Sequence, residues 1–436
     1  MFFENKKLHL ILFSIKRSNP NLTIMPTNIQ RNKLFVASCL ALLVTSLSFG
    51  IRAGVLNQQG IDFHLNASQL GTIAATAFWG FPLAVIIGGI VVDIIGMKKL
   101  LVMAFVFHLA GILLTIFASG YWSLFISTLL IGIANGTVEA ACNPLVTALF
   151  PDNKTTKLNH FHLWFPGGIV IGTLIVFLFN KLGLSTQVQV GVMLIPALLY
   201  GYLFSQLEFP ATERVSSGVS TKDMYASLLN PLFFFMIICM FGTAITELFT
   251  GQWIDVLLKN VSDNAILLLT IETGIMVVGR GFAGPVVHKF SPQGVLLIST
   301  ILASLGLYLL GHTIGNMLFV GAIIFGMGVC YFWPTMLGFV SENLPKTGAV
   351  GINLMGGAGM FAVSVYTIFM GGFYDRLVAA KIPAGTTEAN MANVMNEAKK
   401  AAGPEVINAT LVIPVVLILA FIGLNVYMRR KKMAVA

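Results

Sequence analysis

Twelve long apolar stretches, six on each side of a polar interval at residues 208–222, constrain this chain more than anything else in it. A helix needs about 20 mostly apolar residues to cross the hydrocarbon of a bilayer. Such runs fall at residues 34–56, 69–94, 99–119, 121–149, 161–180, 188–207, 230–256, 264–287, 294–313, 316–341, 348–374 and 408–428. They are too long, and alternate too little, to be the strands of a lipid-facing barrel. Composition agrees: 56% of the 436 residues are hydrophobic and 10% are charged, an excess of apolar surface that no water-soluble interior hides. The fold class that follows is all-α: a polytopic membrane protein with twelve transmembrane helices in two pseudo-symmetric six-helix bundles.

Basic residues set the expected orientation, because positively charged loops stay on the cytoplasmic side. Lys6, Lys7, Lys16, Arg17, Arg31 and Lys33 precede the first crossing, and Arg429, Arg430, Lys431 and Lys432 follow the last. Lys98, Lys99, Lys154, Lys157, Arg214, Lys222, Lys289 and Lys346 fall in loops on that same side. Both termini are therefore expected to be cytoplasmic, and the net charge of +9 is a product of topology. No solvated basic face is visible, so a nucleic-acid partner is not expected. The expected organisation is a cytoplasmic N-terminal segment (1–32), a first bundle (33–207), a cytoplasmic linker (208–229), a second bundle (230–428) and a cytoplasmic tail (429–436).

Several features read as structural. The apolar patch at residues 8–15 has no small-residue cleavage site and is not taken as a signal peptide, and Met25 serves equally well as a start. Cys39, Cys142, Cys239 and Cys330 lie far apart inside apolar runs and are expected to pack rather than pair. His160 and His162 stand two apart, on different helix faces, and no glycine-rich phosphate loop is present, so neither a metal nor a cofactor is expected. An outer segment at 377–408 is Ala-rich and carries both charge signs; it is expected to hold a surface helix near 387–402.

Two six-helix halves suit a protein whose bundles rock around a site near the membrane midplane. Between the second and third crossings stands Gly89-Ile-Val-Val-Asp93-Ile-Ile-Gly96-Met-Lys98-Lys99, which resembles the signature loop of the major facilitator superfamily. Gly89 permits close helix approach, Gly96 permits a positive φ, and Asp93 with Lys98 and Lys99 can form a breakable ionic latch. The resemblance implies that this latch holds an outward-facing state. The matching turn after the eighth crossing runs from Arg280 through Gly284 to His288, which stands where the first half has Asp93. All of these residues are expected to gate.

An ionisable residue at a helix centre costs about 2.5–3.5 kcal/mol on insertion scales. Arg52, Glu139, Glu247 and Glu272 are accordingly expected to face a central cavity. Asn135, Glu139 and Asn143 are spaced by four and share one face of the fourth crossing. Glu139 is the expected proton carrier; the alternative is a carboxylate paired permanently with Arg52 or Arg280.

The run Glu139-Ala-Ala-Cys-Asn143-Pro144, with Phe150-Pro151 and Asn159-His-Phe-His162-Leu-Trp164-Phe-Pro166-Gly167-Gly168, resembles the fucose–galactose–hexose proton symporters. In that family a glutamate of the fourth helix is implicated in proton and sugar handling, and Glu139 holds the matching position. The resemblance implies a secondary active transporter of a bacterial inner membrane, acting as a monomer. It would take a small-molecule substrate, a sugar or other small polar solute, together with protons, and would not be an enzyme.

One departure stands out: where the family has an acidic residue in the first helix, this chain has Arg52. A guanidinium there suits a carboxylate, held bidentately, and supports a second reading as an organic-anion transporter or facilitator; the alternative is an internal pair with Glu139. A polytopic enzyme or receptor is a remote third. The remaining expected lining is Asn57 and Gln58, then Glu247, Thr250, Gln252 and Trp253, then Tyr331 and Trp333, and finally Asn353. Aromatic platforms beside amides suit a sugar ring, and Trp79 and Trp164 are further candidates, the latter better read as packing.

Overall fold

The computed structural model describes residues 27–251, 265–384 and 386–435, and every regular element among them is helical. The first half comprises α1 (Asn28–Asp62), α2 (Ala67–Ile95), α3 (Met97–Ile116) and α4 (Tyr121–Leu149). Its fifth crossing is broken into α5 (Lys154–His162) and α6 (Trp164–Lys181), and its sixth into α7 (Thr186–Gly191) and α8 (Leu194–Gln206). Two short helices, α9 (Glu213–Ser216) and α10 (Thr221–Leu228), lie in the linker at residues 208–229.

The second half begins with α11 (Pro231–Ala244), extended by a π turn over Ile245–Phe249. It continues with α12 (Ala265–Gly281), α13 (Ala283–His312), α14 (Met317–Val329), α15 (Phe332–Asn343), α16 (Gly348–Ala380) and α17 (Glu388–Val435). Among the described residues, eleven helical spans are long and apolar enough to cross a membrane. The described part of α12, 17 residues, belongs to the eighth crossing, which is not counted among those eleven.

Residues 283–312 form two helices joined at a kink. Ser291, with φ 59° and ψ 160°, breaks the run, and Pro292 follows it, a residue whose missing N–H is harmless in a first helical turn. Residues 283–290 therefore complete the eighth crossing and the ninth starts after Ser291, close to the expected limits of 264–287 and 294–313.

Helix packing relies on small residues, as in lipid it must. A Cβ at Gly136 would stand 2.2 Å from the Phe81 carbonyl oxygen, and one at Gly132 would stand 2.9 Å from the backbone of Ala77, so α2 and α4 meet backbone to backbone. The four cysteines are buried, three of them in helices and Cys330 at the break between α14 and α15. The outer segment holds a helix where one was expected near 387–402, mostly exposed, but it is no separate element: α17 runs unbroken from Glu388 through the twelfth crossing. Ala402 and Val406 on it are fully buried, and Glu405 pairs with Lys381 at 2.5 Å, so packing against the bundle carries the helix outward past the membrane span.

Candidate functional site

A chamber of about 380 Å³ lies where the halves meet. The first half contributes Phe49, Phe81, Glu139, His162 and Phe165; the second contributes Glu247, Leu248, Arg280, Trp333 and Met360. Most of the wall is apolar or aromatic, and four ionisable side chains face one another across it.

On the first-half side, Glu139 is 3% exposed. Asn143, one turn further along α4, donates from Nδ2 to Glu139 Oε2 at 2.5 Å. The Asn143 Oδ1 lies 3.0 Å from His162 Nε2, and His162 Nδ1 lies 3.8 Å from Glu139 Oε1. The polar stripe of α4 is thus closed into a ring by a histidine at the end of α5.

On the opposite wall, Arg280 is 2% exposed and its Nη2 donates to Glu247 Oε1 at 2.8 Å. Its other donors go to backbone: Nε to the Cys330 carbonyl at 2.6 Å and Nη1 to the His162 carbonyl at 2.9 Å. Both carbonyls need a donor for the same reason. Each lies four residues before a proline, Pro166 and Pro334, which has no N–H to complete the helical bond; in lipid the freed oxygen must be satisfied from elsewhere. The Trp333 N–H donates to Glu247 Oε2 at 3.3 Å, which holds the carboxylate from its other side.

Asn353 follows the same rule at the seam between halves. Pro144 leaves the Ala140 carbonyl without a helical donor, and Asn353 Nδ2 from α16 donates to it at 2.9 Å. Asn353 thus ties the lobes together instead of lining the chamber. The Tyr331 hydroxyl donates to the Gly279 carbonyl at 2.7 Å, bracing α12 behind the wall.

Other expected lining residues lie elsewhere. Asn135 is held in the first-half core: its Nδ2 donates to Ser48 Oγ at 3.0 Å, and its Oδ1 lies 2.8 Å from His108 Nε2, whose Nδ1 is 2.8 Å from the Tyr200 hydroxyl. Arg52 lines a separate cavity of about 400 Å³ inside the first half, bounded by Ser48, Gln59, Thr115, Thr128 and apolar neighbours, with its guanidinium 5.1 Å from the Phe49 ring centre. Arg52 and Glu139 therefore do not share a chamber, because depth along a helix does not fix which way a side chain points.

Gln58 donates to Asp62 Oδ1 at 2.8 Å on an exposed helix end. Glu272 is buried against Gly251, away from the chamber lining. Trp79 is 66% exposed on the outer surface. The Asn57 side chain, Gln252 and Trp253 lie outside the described residues.

The face that carries the linker is closed. Asp93 accepts from the Thr212 hydroxyl and from Arg214 Nε, the latter at 2.5 Å. Its ionic partner is thus Arg214 of the linker, not the lysines expected; Lys98 Nζ instead donates to the Ser205 and Leu207 carbonyls at 3.0 and 2.9 Å, capping the end of α8, and Lys99 is exposed. Gly96 has φ 86°, as its turn requires. Gly89 faces Asn353, and Gly284 approaches Thr156. His288 is exposed, while Arg280, expected beside it at a gate, lies in the chamber. Between halves, Lys154 Nζ pairs with Glu213 at 2.6 Å and donates to the Ser341 carbonyl at 3.2 Å, and Thr155 donates through N and Oγ1 to Glu342 Oε1 at 3.0 and 2.6 Å. From sequence, His162 stood out only as one of two histidines unsuited to a metal and Lys154 only as an inner basic residue; Thr155, Ser341 and Glu342 carried no signal. The proline-freed carbonyls were the signal available for Arg280 and Asn353.

A pair of membrane-embedded helical lobes enclosing a charged chamber at their seam defines a class of polytopic membrane protein. The Major Facilitator Superfamily profile matches residues 34–365, and the chain belongs to that superfamily. It is 27% identical over 158 residues to the D-xylose transporter of Levilactobacillus brevis, covering 35% of each chain. It is 25% identical over 188 residues to the probable anion transporter 6, chloroplastic, of Arabidopsis thaliana, covering 43% of this chain and 36% of that one. The chain thus spans only about a third of the length of these curated relatives. Among solved structures, it superposes on the Major Facilitator Superfamily transporter FucP with a TM-score of 0.67 at 17% identity, covering 88% of this chain and 98% of that one. It superposes on the proton:xylose symporter XylE with a TM-score of 0.67 at 14% identity, covering 89% and 95%. At these identities the likeness is one of fold.

Proposed function

We propose that this chain is a secondary active transporter that carries a sugar or other small polar solute together with a proton by alternating access, with Glu139 bearing the proton. The observation that carries the reading is the chamber's charge arrangement. Arg280 and Glu247 offset each other at 2.8 Å, so protonation of Glu139 sets the net charge that a solute meets. The bundles at 33–207 and 230–428 would rock about the linker at 208–229. The Asp93–Arg214, Lys154–Glu213 and Thr155–Glu342 contacts close the linker face, which we take as cytoplasmic from its lysines and arginines. Phe49, Phe81, Phe165 and Trp333 offer the apolar faces against which a sugar ring stacks. D-xylose and proton-symporter names among the similar proteins support the substrate class. We place the protein in a bacterial inner membrane, acting as a monomer and not as an enzyme.

The test is uptake into proteoliposomes of a hexose and pentose panel beside small carboxylates, with and without a pH gradient. Glu139→Gln is expected to abolish gradient-driven accumulation while sparing counterflow exchange; unchanged accumulation would reject the assignment. Arg52 bears on the anion reading. Its place in a separate cavity leads us to expect Arg52→Gln to leave neutral sugar uptake intact, whereas selective loss of carboxylate uptake would restore that reading.

A further inference from the structure

We propose that Arg280 is the link through which the charge on Glu247 holds the lobes together, making Glu247 a second proton-responsive carboxylate beside Glu139. The inference rests on the alternating-access reading above.

Arg280 stands on α12 of the second half, yet one arm reaches the His162 carbonyl of the first. Its Nε arm reaches the Cys330 carbonyl of its own lobe. Both are the oxygens that Pro166 and Pro334 leave unbonded, so one guanidinium completes the broken helices of both lobes. A guanidinium is always charged, and keeping it 2% exposed requires a counter-charge nearby. Glu247 supplies it, from a π turn, a helix irregularity that recurs at functional sites.

The two chamber glutamates differ in what their bonds connect. Glu139 is bonded to Asn143 and faces His162, both in the first half, so a proton there alters the chamber's charge without touching a bond between lobes. Glu247 holds the side chain that bridges them. A proton on Glu247 removes the charge opposite Arg280 Nη2, and the guanidinium is left with two carbonyls as partners. The other ionisable groups facing Glu247 are Glu272 on α12, Glu139 on α4, His162 on α5 and the Cys330 thiol. With Glu247 neutral, the guanidinium loses the anion that fixes its position, and the tie to the His162 carbonyl, the arm that crosses between lobes, is the bond weakened.

The experiment measures lobe separation directly, without substrate or gradient. Asp152 and Lys346 are exposed on the linker face, one on each lobe; Asp152→Cys with Lys346→Cys, spin-labelled in lipid nanodiscs, reports the distance between them. Glu247→Gln is expected to raise the ratio of separated to closed lobes about tenfold at neutral pH, the scale of one charged hydrogen bond. Arg280→Gln should do the same, and Arg280→Lys, which keeps the charge but not the fork, should fall between. The parent pair should separate as pH falls, and Glu247→Gln should flatten that response, while Glu139→Gln leaves the distance distribution within about twofold of the parent. A parent-like distribution in Glu247→Gln and Arg280→Gln overturns the proposal, as does an equal shift in Glu139→Gln. Because no transport is measured, failure of proton-driven uptake would remove the Glu139 assignment and leave this result standing.

Discussion

Gly89, Asp93 and Gly96 recur, at identical spacing, as Gly284, His288 and Ser291, and the third member of each set takes a positive φ, 86° at Gly96 and 59° at Ser291. The bends match; the chemistry around them does not. In the first half Asp93 is gripped by Thr212 and Arg214, and Gly89 lies against Asn353 of the other lobe. In the second half His288 is exposed and Gly284 meets only Thr156 at ordinary contact distance. The linker explains the difference, since α9 packs beside the first turn and brings Arg214 to it. Repetition fixes where the chain turns, and of these two turns the first alone carries an ion pair among the described residues.

That asymmetry is open to test by paired substitutions, and the largest effect is expected at the ion pair. Asp93→Ala leaves Arg214 without its anion in a site where the two side chains are 3% and 12% exposed, a loss of about 3 kcal/mol for a buried pair. It should appear as a lower thermal midpoint in detergent, and no change would dismiss the latch. Gly89→Ala follows, at about 2 kcal/mol, because its Cβ would come within 2.5 Å of Asn353 Cβ. Gly284→Ala should be nearly neutral, its nearest neighbour being 3.6 Å away, and equal costs at the two glycines would erase the contrast.

Smaller effects of opposite sign are expected at the positive-φ positions. Gly96→Ala should destabilise by about 1–2 kcal/mol and Ser291→Gly should stabilise by about 1 kcal/mol, since only glycine adopts that conformation without strain. Denaturant or thermal melts of both read the signs directly. His288→Ala should move stability by less than about 0.5 kcal/mol, as for an exposed side chain without a special role.

Much of the fold was legible because bilayer thickness leaves few choices. The apolar runs mark the crossings, and Gly96 and Pro292 sit at two of the bends. The continuity of α17 was not legible, since a polar, Ala-rich segment reads as a surface helix whether or not it fuses with the apolar helix that follows. At the site, Glu139, Asn143, Glu247 and Trp333 stood out as charge, amide or ring in an apolar setting, and the chamber brings them together. Arg280 was misplaced because its neighbours in sequence belong to a turn, whereas its long side chain reaches back into the bundle. Asn135 and Arg52 share the right depth but face the first-half core, a matter of azimuth that spacing within one helix cannot report.

The π turn at Ile245–Phe249 has a consequence of its own. It winds one surplus residue into the seventh crossing. Release of that residue into ordinary α geometry would swing one end of the helix by roughly 100° relative to the other. Glu247 sits at the centre of this slack, so the carboxylate can be turned toward or away from its partner by a local rewinding, with the rest of the bundle left in register.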